Sequence, residues 1–449
     1  MARRATVRIL GVGVAVLVGA GVVLAGTRLL LADDREPAGT PPAAQRDNDR
    51  DPDLPLTNAA RAIASNRLTP AGPQSLFDNR SGDPLAPGAE INVSLLDVAE
   101  AATAVVLAFS ALDATQAGAV TVTSSAGAIP AFRLAAAGGQ TSSTLIVPVA
   151  GDGALRIRDE AGGRLVVQLV GTLAPSNSSS AGRVLPVPSR EVFRLVKATE
   201  GHEKELALSA VPELAGQSVS AVLLQVAADV GTDGGFVRAG DEDRQELFWS
   251  ATKGADRTRG GLMLVPIDGD KITIHYEAGT ELRADLVGYV TGDAAPASAE
   301  GLIVLVPRAT ASGGSSGAPG GDPLSTAGSD PSGAPGLDPG AAGEAEVDAE
   351  GETLTVVPPG GLAGVPLERI GGAFLRVTAQ GDGTGEVAVR GGDTTASPGD
   401  PGNPTMLAAE GISRSTLTLV TVSDGTVSAS AAAGAALKLT PEALLLTAG

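Results

Sequence analysis

The chain has 449 residues, enough for about three domains of ordinary size. Its formal net charge is −19, and an acidic chain is repelled by nucleic-acid phosphates, so nucleic-acid binding is not expected. The absence of cysteine excludes disulfides, thiolate catalysis and cysteine-based zinc sites, and two histidines leave little material for an imidazole site. Hydrophobic residues make up 43% of the chain but aromatic residues only 2%, so we expect cores built from Val, Leu, Ile and Ala.

The N-terminal residues have the pattern of a membrane anchor. Three arginines within residues 1–8 precede an uncharged run, 9–26, and three leucines end the apolar stretch at residue 31. At about 1.5 Å per residue, such a run nearly spans a hydrocarbon core of about 30 Å. We predict a cytoplasmic N-terminus at 1–8, a transmembrane helix at 9–31 and an extracytoplasmic remainder, because the basic residues lie N-terminal. A signal peptide cleaved after Ala25 is the alternative.

Residues 32–67 are polar, charged and rich in proline, and they include the run RDNDRDPD. This composition predicts a disordered acidic spacer between the membrane and the first folded unit.

A repeated pattern follows the spacer. Short β-branched runs alternate with Gly, Pro and Asp turns, which is typical of antiparallel β-sandwiches. Val105-Val106-Leu107 and Val222-Leu223-Leu224 are similar runs 117 residues apart, and Val147-Pro148 and Val265-Pro266 are 118 apart. We therefore predict an all-β fold with three tandem antiparallel β-sandwich-like modules, at 68–175, 182–293 and 300–446.

The third module contains a low-complexity segment at 309–345, made of Gly, Ser, Pro, Ala and Asp with hardly an apolar side chain. This composition predicts a flexible coil. Two interpretations fit: a loop within the third module, or a linker between modules. The run GLIVLVP at Gly301, which matches the start of the second module, favours the loop.

The strands also carry motifs of a known repeat. The runs FDNRSG, AVVLAFSALDAT and TLIVPV, followed by VVQLVG, resemble a repeat of secreted and cell-surface actinobacterial proteins. That repeat opens with a Leu-Asp-Thr-Arg-like motif, contains an Ala-Val-Val-Leu-Asn-Val-Thr strand and closes with Asp-Val-x-Gly-Tyr-Phe. Asp78 and Arg80 match the opening, and residues 285–290 match the closing motif best. Ala108 and Gln225 replace the asparagine.

The resemblance implies surface modules of a cell envelope without catalytic residues or a cofactor. A GxSxG string at 313–317 lies in the low-complexity segment and lacks the strand and helix of a nucleophile elbow. We therefore expect a non-enzymatic, membrane-anchored envelope protein that binds a cell-wall glycan or an envelope partner protein. A passive structural spacer is the first alternative, and an extracytoplasmic hydrolase with converging carboxylates is the second.

The second module contains most of the aromatic residues that are candidates for ligand contact: Phe236, Phe248, Trp249 and Tyr289. An exposed aromatic ring can stack on the apolar face of a sugar. We take Trp249 and Tyr289 as the ligand-binding candidates, with core filling as the alternative.

Other polar residues have structural explanations. Asp-Gly sequences at 151–153 and 268–270 predict hairpin turns rather than calcium loops, since calcium requires six to eight oxygen ligands. His275 and Tyr276 should face opposite sides of a strand, and His275 has no nearby partner for a metal site. Asp78 and Arg80 are expected to form an ion pair. We predict no metal and no cofactor.

Overall fold

The described residues of the computed structural model belong to one compact unit, Arg61–Gly449. The described residues are 63–95, 101–124, 126–149, 153–230, 235–239, 247–251, 258–267, 269–308, 344–346, 352–381, 385–391, 405–408, 414–431 and 435–448. The predicted transmembrane helix at 9–31 therefore lies outside them. Within the described part, no helix is both long and apolar enough to cross a membrane.

The first sandwich consists of eight strands that form two sheets. They are β1 (Asn66–Asp78), β2 (Ala89–Ser94), β3 (Ala104–Leu112), β4 (Gly118–Ser124), β5 (Gly127–Leu134), β6 (Thr141–Pro148), β7 (Ala154–Asp159) and β8 (Arg164–Pro175). The inner sheet has the order β1-β8-β3-β6 and the outer sheet the order β2-β7-β4-β5. This strand order is that of a jelly roll.

The second sandwich repeats this topology. Its strands are β9 (Val184–Leu195), β10 (His202–Ala207), β11 (Val219–Asp229), β12 (Gly235–Ala239), β13 (Leu247–Ala251), β14 (Thr258–Pro266), β15 (Lys271–Tyr276) and β16 (Glu281–Thr291). The inner sheet is β9-β16-β11-β14 and the outer sheet is β10-β15-β12-β13. Two short 3-10 helices, Leu208–Ala210 and Pro212–Leu214, follow β10.

The third sandwich has the same two sheets and one additional short strand. Its strands are β17 (Ile303–Leu305), β18 (Glu344–Glu346), β19 (Glu352–Thr355), β20 (Ile370–Gly381), β21 (Gly385–Gly391), β22 (Met406–Ala408), β23 (Arg414–Thr421), β24 (Thr426–Ala431) and β25 (Ala435–Leu446). The inner sheet is β17-β25-β20-β23 and the outer sheet is β19-β24-β21-β22. A 3-10 helix, Leu367–Arg369, precedes β20.

The burial of the strands follows from their sequence patterns. In β7, ALRIRD, buried and exposed residues alternate, because an outer sheet has one face on a core and one in solvent. In β3, AVVLAFSAL, nearly every residue is buried, because both faces of an inner sheet are covered. The predicted all-β, antiparallel, β-sandwich-like fold is confirmed.

Each sandwich has its own apolar core between its two sheets, and a fourth core joins all three. This central core lies on the other face of the inner sheets. It includes Leu68, Val106 and Ile146 of the first sandwich, Leu223, Leu264 and Val287 of the second, and Phe374, Leu419 and Leu445 of the third. The three sandwiches therefore pack together rather than forming a string, and β1 and β17 pair at Asn66 and Ile303 to join two inner sheets.

The glycine of the closing motif lies where two sandwiches approach most closely. A Cβ atom at Gly288 would lie 2.5 Å from Cδ2 of Leu419, and a Cβ atom at Gly171 would lie 3.1 Å from Cδ2 of Leu264. A side chain at position 288 would therefore require the Leu419 side chain to move.

Polar side chains also connect the sandwiches. The hydroxyl of Thr144 donates to the carbonyl oxygen of Leu262 at 2.9 Å, between the first and second sandwiches. The Gln225 amide donates to the carbonyl oxygen of Thr405 at 2.6 Å and accepts from the Thr418 hydroxyl at 3.0 Å, between the second and third.

The third sandwich contacts the first through a buried ion cluster. Arg376 donates to the carbonyl oxygen of Pro130, and its Nε lies 2.8 Å from Oε1 of Glu442. Arg308 pairs with the other oxygen of Glu442. Burial lowers the pKa of the Arg376 guanidinium, and the charge of Glu442 opposes that shift.

Two predicted boundaries are corrected by the structure. The spacer was expected to extend through residue 67, but β1 begins at Asn66. The Asn66 amide donates to the carbonyl oxygen of Ile303 at 3.2 Å and accepts from the Thr103 hydroxyl at 2.6 Å, which places this residue inside the fold. Glu344 and Ala345 were assigned to the low-complexity segment, but they belong to β18.

Strands β17 and β18 lie on the same side of β25, with Leu305 opposite Ala443 and Glu344 opposite Lys438. Together they take the place of the continuous strands β1 and β9 of the other two sandwiches. Strands β1 and β9 each show a register shift at the position that corresponds to the gap between β17 and β18. The segment 309–343, which lies outside the described residues, thus begins and ends beside one strand.

The prediction of hairpin turns at the Asp-Gly sequences is wrong. Strand β6 pairs with β3 in the inner sheet, whereas β7 pairs with β2 and β4 in the outer sheet. The same holds for β14 and β15 in the second sandwich. The turn glycines Gly153 and Gly269 have φ of 57° and 65°. An Asp-Gly sequence indicates a residue with a positive φ. A turn that connects two sheets can require such a residue as much as a hairpin turn does.

Candidate functional site

The predicted ligand-binding residues lie on different sheets. Trp249 is in β13 at the edge of the outer sheet of the second sandwich, opposite Val237 in the register, and its side chain is outside the described part. Tyr289 is in β16 of the inner sheet, is 6% exposed and belongs to the core of that sandwich. Burial raises the pKa of the Tyr289 hydroxyl. The ring of Tyr289 therefore presents no face to a ligand in solvent.

Phe236 and Phe248 lie on the same outer sheet as Trp249. Residues 235–239 and 247–251 form the paired strands β12 and β13, with Phe236 opposite Ser250 and Phe248 opposite Arg238. The structure thus brings three of the four aromatic candidates onto neighbouring strands and separates Tyr289 from them.

The outward face of this outer sheet carries a row of charged and imidazole side chains. Glu203 of β10 lies opposite His275 of β15, and His275 lies opposite Arg238 of β12. Side chains directly opposite one another in an antiparallel pair face the same side. Because Ile274 and Val237, their sequence neighbours, are buried in the core, these three side chains face outward.

His275 is the centre of this row. Its Nδ1 lies 3.5 Å from Oε2 of Glu203, and its side chain is 14% exposed. Its Nε2 is buried and has no hydrogen-bond partner among the described residues. A buried donor or acceptor left unsatisfied in this way is uncommon in folded proteins.

Phe236 supplies an apolar surface next to the row. Its ring is half-buried, and the guanidinium carbon of Arg238 lies 4.0 Å from the ring centroid. This is a cation–π arrangement, which holds the ring in one orientation on the sheet. Lys271 and Glu205 pair at the end of the same face. We call the surface formed by Glu203, Phe236, Arg238 and His275 the Phe236 face.

The sequence pattern offered no signal for most of this face. Phe236 is recognisable in the sequence as an aromatic residue. The sequence predicts no binding role for His275, and it does not distinguish Glu203 or Arg238 from other charged residues. These residues come from three strands that are separated along the chain, and only the strand order places them in one row.

The other polar candidates have structural roles. The guanidinium of Arg80 donates to the Asp78 carboxylate from Nε at 2.9 and 3.0 Å, and this pairing lowers the pKa of Asp78. His202 lies 3.1 Å from Glu200 at the surface. Asp152 and Asp268 lie outside the described residues. No group of three His, Asp or Glu side chains in the described part is arranged to hold a metal ion.

An apolar cavity lies in the central core, lined by residues of all three sandwiches that include Leu68, Leu223 and Phe374. Its volume is about 10 Å³. A cavity requires about 10–15 Å³ to hold one water molecule, and an apolar one usually stays dry. This cavity is a packing defect rather than a ligand site.

A buried carboxylate in the second sandwich gives a prediction about pH. Asp285 is 2% exposed, accepts from the Ser189 hydroxyl at 3.1 Å and lies 3.5 Å from Nε of Arg283. Burial raises the pKa of the Asp285 carboxyl, and Arg283 opposes the shift. Its favourable contribution to folding is full below the unfolded-state pKa of about 3.9 and is lost as the pH rises through the raised folded-state pKa.

We therefore expect Asp285→Asn, which cannot ionise, to lose less unfolding free energy than the wild type as the pH rises above about 4. Urea denaturation at a series of pH values measures this difference. The matched control is Asp293→Asn, which removes an exposed carboxylate from the same sandwich and should follow the wild type. An Asp285→Asn profile that runs parallel to the wild type would contradict the assignment.

Comparisons with protein-family models and with curated proteins give no match to this chain. Among solved structures, the chain is similar to the PBSX exported protein XepA, with 13% identity, a TM-score of 0.16, and 49% of this chain and 86% of that chain covered. It is similar to a triple jelly roll protein of an archaeal virus, with 9% identity, a TM-score of 0.15, and coverage of 85% and 90%. It is also similar to the major capsid protein P2 of bacteriophage PM2, with 12% identity, a TM-score of 0.16, and 50% of this chain and 97% of that chain covered. At these TM-scores the similarities support no conclusion about this chain.

Proposed function

We propose that this chain is a non-enzymatic, membrane-anchored protein of the cell envelope that binds a glycan through the Phe236 face. The N-terminal segment would anchor it, and the three packed sandwiches would form its extracytoplasmic part. The observation that carries the proposal is the half-buried Phe236 ring on a flat, outward-facing sheet, beside the Glu203–His275–Arg238 row.

The chemistry of the Phe236 face suits a sugar ring. One side of a pyranose is apolar and stacks on an aromatic ring, while its hydroxyl groups need donors and acceptors in the same plane. Phe236 offers the ring, and the exposed Glu203 carboxylate offers an acceptor.

We expect Phe236→Ala to weaken binding to purified neutral cell-wall polysaccharide about two- to tenfold, because one aromatic contact is worth about 0.5–1.5 kcal/mol. Co-sedimentation of the chain from residue 33 onward measures the affinity. The matched control is Val196→Ala in the same sandwich, which shortens a side chain that is 78% exposed and follows the end of β9 in the inner sheet.

Three outcomes separate the hypotheses. Saturable retention that Phe236→Ala weakens and Val196→Ala does not supports glycan binding. Retention that both variants preserve would exclude the Phe236 face as the binding site. Retention of no polysaccharide would leave the structural spacer, and specific capture of one solubilised envelope protein would favour a partner scaffold.

A further inference from the structure

The outer sheet of the first sandwich carries a second outward surface, different from the Phe236 face. Asn92 of β2 lies opposite Arg156 of β7, and Arg156 lies opposite Thr123 of β4. All three side chains are exposed, while Val93, Leu155 and Val122 beside them are buried in the core. An amide, a guanidinium and a hydroxyl therefore stand in one row across three strands, and we call these residues the Arg156 row.

The outward face of this sheet carries three arginines, Arg133, Arg156 and Arg158, and two exposed glutamates, Glu90 opposite Arg158 and Glu160 beside it. Arg156 has no ion pair with another described residue, and neither does Arg133, which lies on the same face of β5. Arg158, two residues from Arg156 in β7, lies 3.7 Å from the exposed Glu160. With three arginines and two glutamates this face has a small positive charge, in a chain with a net charge of −19.

The surroundings of the Arg156 row leave room for a ligand to lie flat. Ala154 precedes Arg156 on the same face of β7, and Ala128 lies opposite Thr123 on β5. Both residues are exposed and have short side chains. An extended polymer can thus approach the backbone of the sheet on either side of the guanidinium.

We propose that the Arg156 row binds a carboxylate-bearing sugar of an acidic polysaccharide. A guanidinium meets a carboxylate through two parallel hydrogen bonds, which an ammonium group cannot reproduce. The Asn92 amide and the Thr123 hydroxyl stand on the two sides of Arg156, where they meet the hydroxyl groups of the same sugar or its neighbour. The inference extends the proposed function, since its ligand is also a glycan, but the site and the charge of the ligand differ.

The probe is polygalacturonate, and the measurement is its affinity for the chain from residue 33 onward at low and moderate ionic strength. We expect Arg156→Gln to weaken binding about tenfold, because the loss of a charge-assisted bidentate contact removes the main source of affinity. Arg156→Lys keeps the charge but not the fork of donors, so its affinity should fall between those of the wild type and Arg156→Gln.

The matched control is Arg67→Gln, which removes an exposed arginine from β1 of the same sandwich but from the other sheet. It should bind polygalacturonate like the wild type. Equal losses in Arg67→Gln and Arg156→Gln would overturn the proposal, because the binding would then follow net charge alone. Wild-type affinity in Arg156→Lys would overturn the bidentate contact.

Two further arms separate this inference from the proposed function. Arg156→Gln should keep wild-type binding to neutral polysaccharide, and Phe236→Ala should keep wild-type binding to polygalacturonate. A result that excludes the Phe236 face as a binding site would therefore not exclude the Arg156 row. In the same way, a result that excludes the Arg156 row would not exclude the Phe236 face. Binding to phosphatidylglycerol vesicles that depends on Arg156, without binding to polygalacturonate, would overturn the proposal in favour of a lipid headgroup.

Discussion

Replacing Glu442 by alanine should lower the free energy of unfolding by about 3–5 kcal/mol, because removal of one partner leaves buried charge uncompensated. The Glu442 side chain is 4% exposed and lies between Arg376 and Arg308. Arg376 itself is 8% exposed and cannot turn to water without opening the contact with the first sandwich. Chemical denaturation followed by circular dichroism measures the loss.

The repeat supplies a matched rescue variant. The strand pairing shifts at the same place in each inner sheet, so that Glu442 corresponds to Val287 of the second sandwich and Arg376 corresponds to Gln225. The double variant Arg376→Gln with Glu442→Val copies that pair. Since apolar replacement of a buried ion pair is often neutral or stabilising, we expect its unfolding free energy to lie within about 1 kcal/mol of the wild type. A double variant as unstable as Glu442→Ala would contradict this explanation.

Replacing Phe374 by alanine should cost about 3–5 kcal/mol, the usual range for the loss of a buried phenylalanine. Phe374 is 3% exposed and packs in the central core that all three sandwiches share. Because this core connects the sandwiches, the loss should destabilise the whole folded body and not the third sandwich alone. A single cooperative unfolding transition is the expected behaviour of the wild type.

The single tryptophan of the chain makes this prediction directly measurable. Trp249 lies in the second sandwich, so its fluorescence reports unfolding there, while far-ultraviolet circular dichroism reports all strands. In Phe374→Ala both signals should shift to the same lower denaturant midpoint. The control Phe374→Leu, which keeps most of the apolar side chain, should cost less than Phe374→Ala. An unchanged fluorescence midpoint in Phe374→Ala would show that the sandwiches unfold independently.

Much of the fold could be predicted from periodicity, but the packing could not. The run Ala104–Leu107 is apolar without alternation, which indicates burial on both faces of a strand. Its second covering surface consists of Leu223, Leu264 and other residues more than one hundred positions away. A pattern of period two shows that a face is buried, but it does not identify the surface that covers it.

The candidate sites were harder to predict for a related reason. Aromatic residues are recognisable in a sequence, and the sequence therefore offers four candidates for ligand contact: Phe236, Phe248, Trp249 and Tyr289. Whether each ring faces a core or solvent depends on the sheet to which its strand belongs, and the closing motif places Tyr289 inside. The Arg156 row combines three common residue types from three strands, and nothing in its sequence distinguishes it from an ordinary solvated surface.

The pairing of Asn66, Ile303 and Leu445 has a consequence for the topology of the polypeptide. These residues lie side by side on three adjacent strands, at the start of β1 and the end of β25. With neighbouring strands about 4.8 Å apart, Asn66 and Leu445 are about 10 Å from each other. A join of a few residues would close the polypeptide into a circle, and new ends cut between β17 and β18 would leave every strand pairing in place. Circular permutation would thus move the chain ends to a different strand connection without changing the fold.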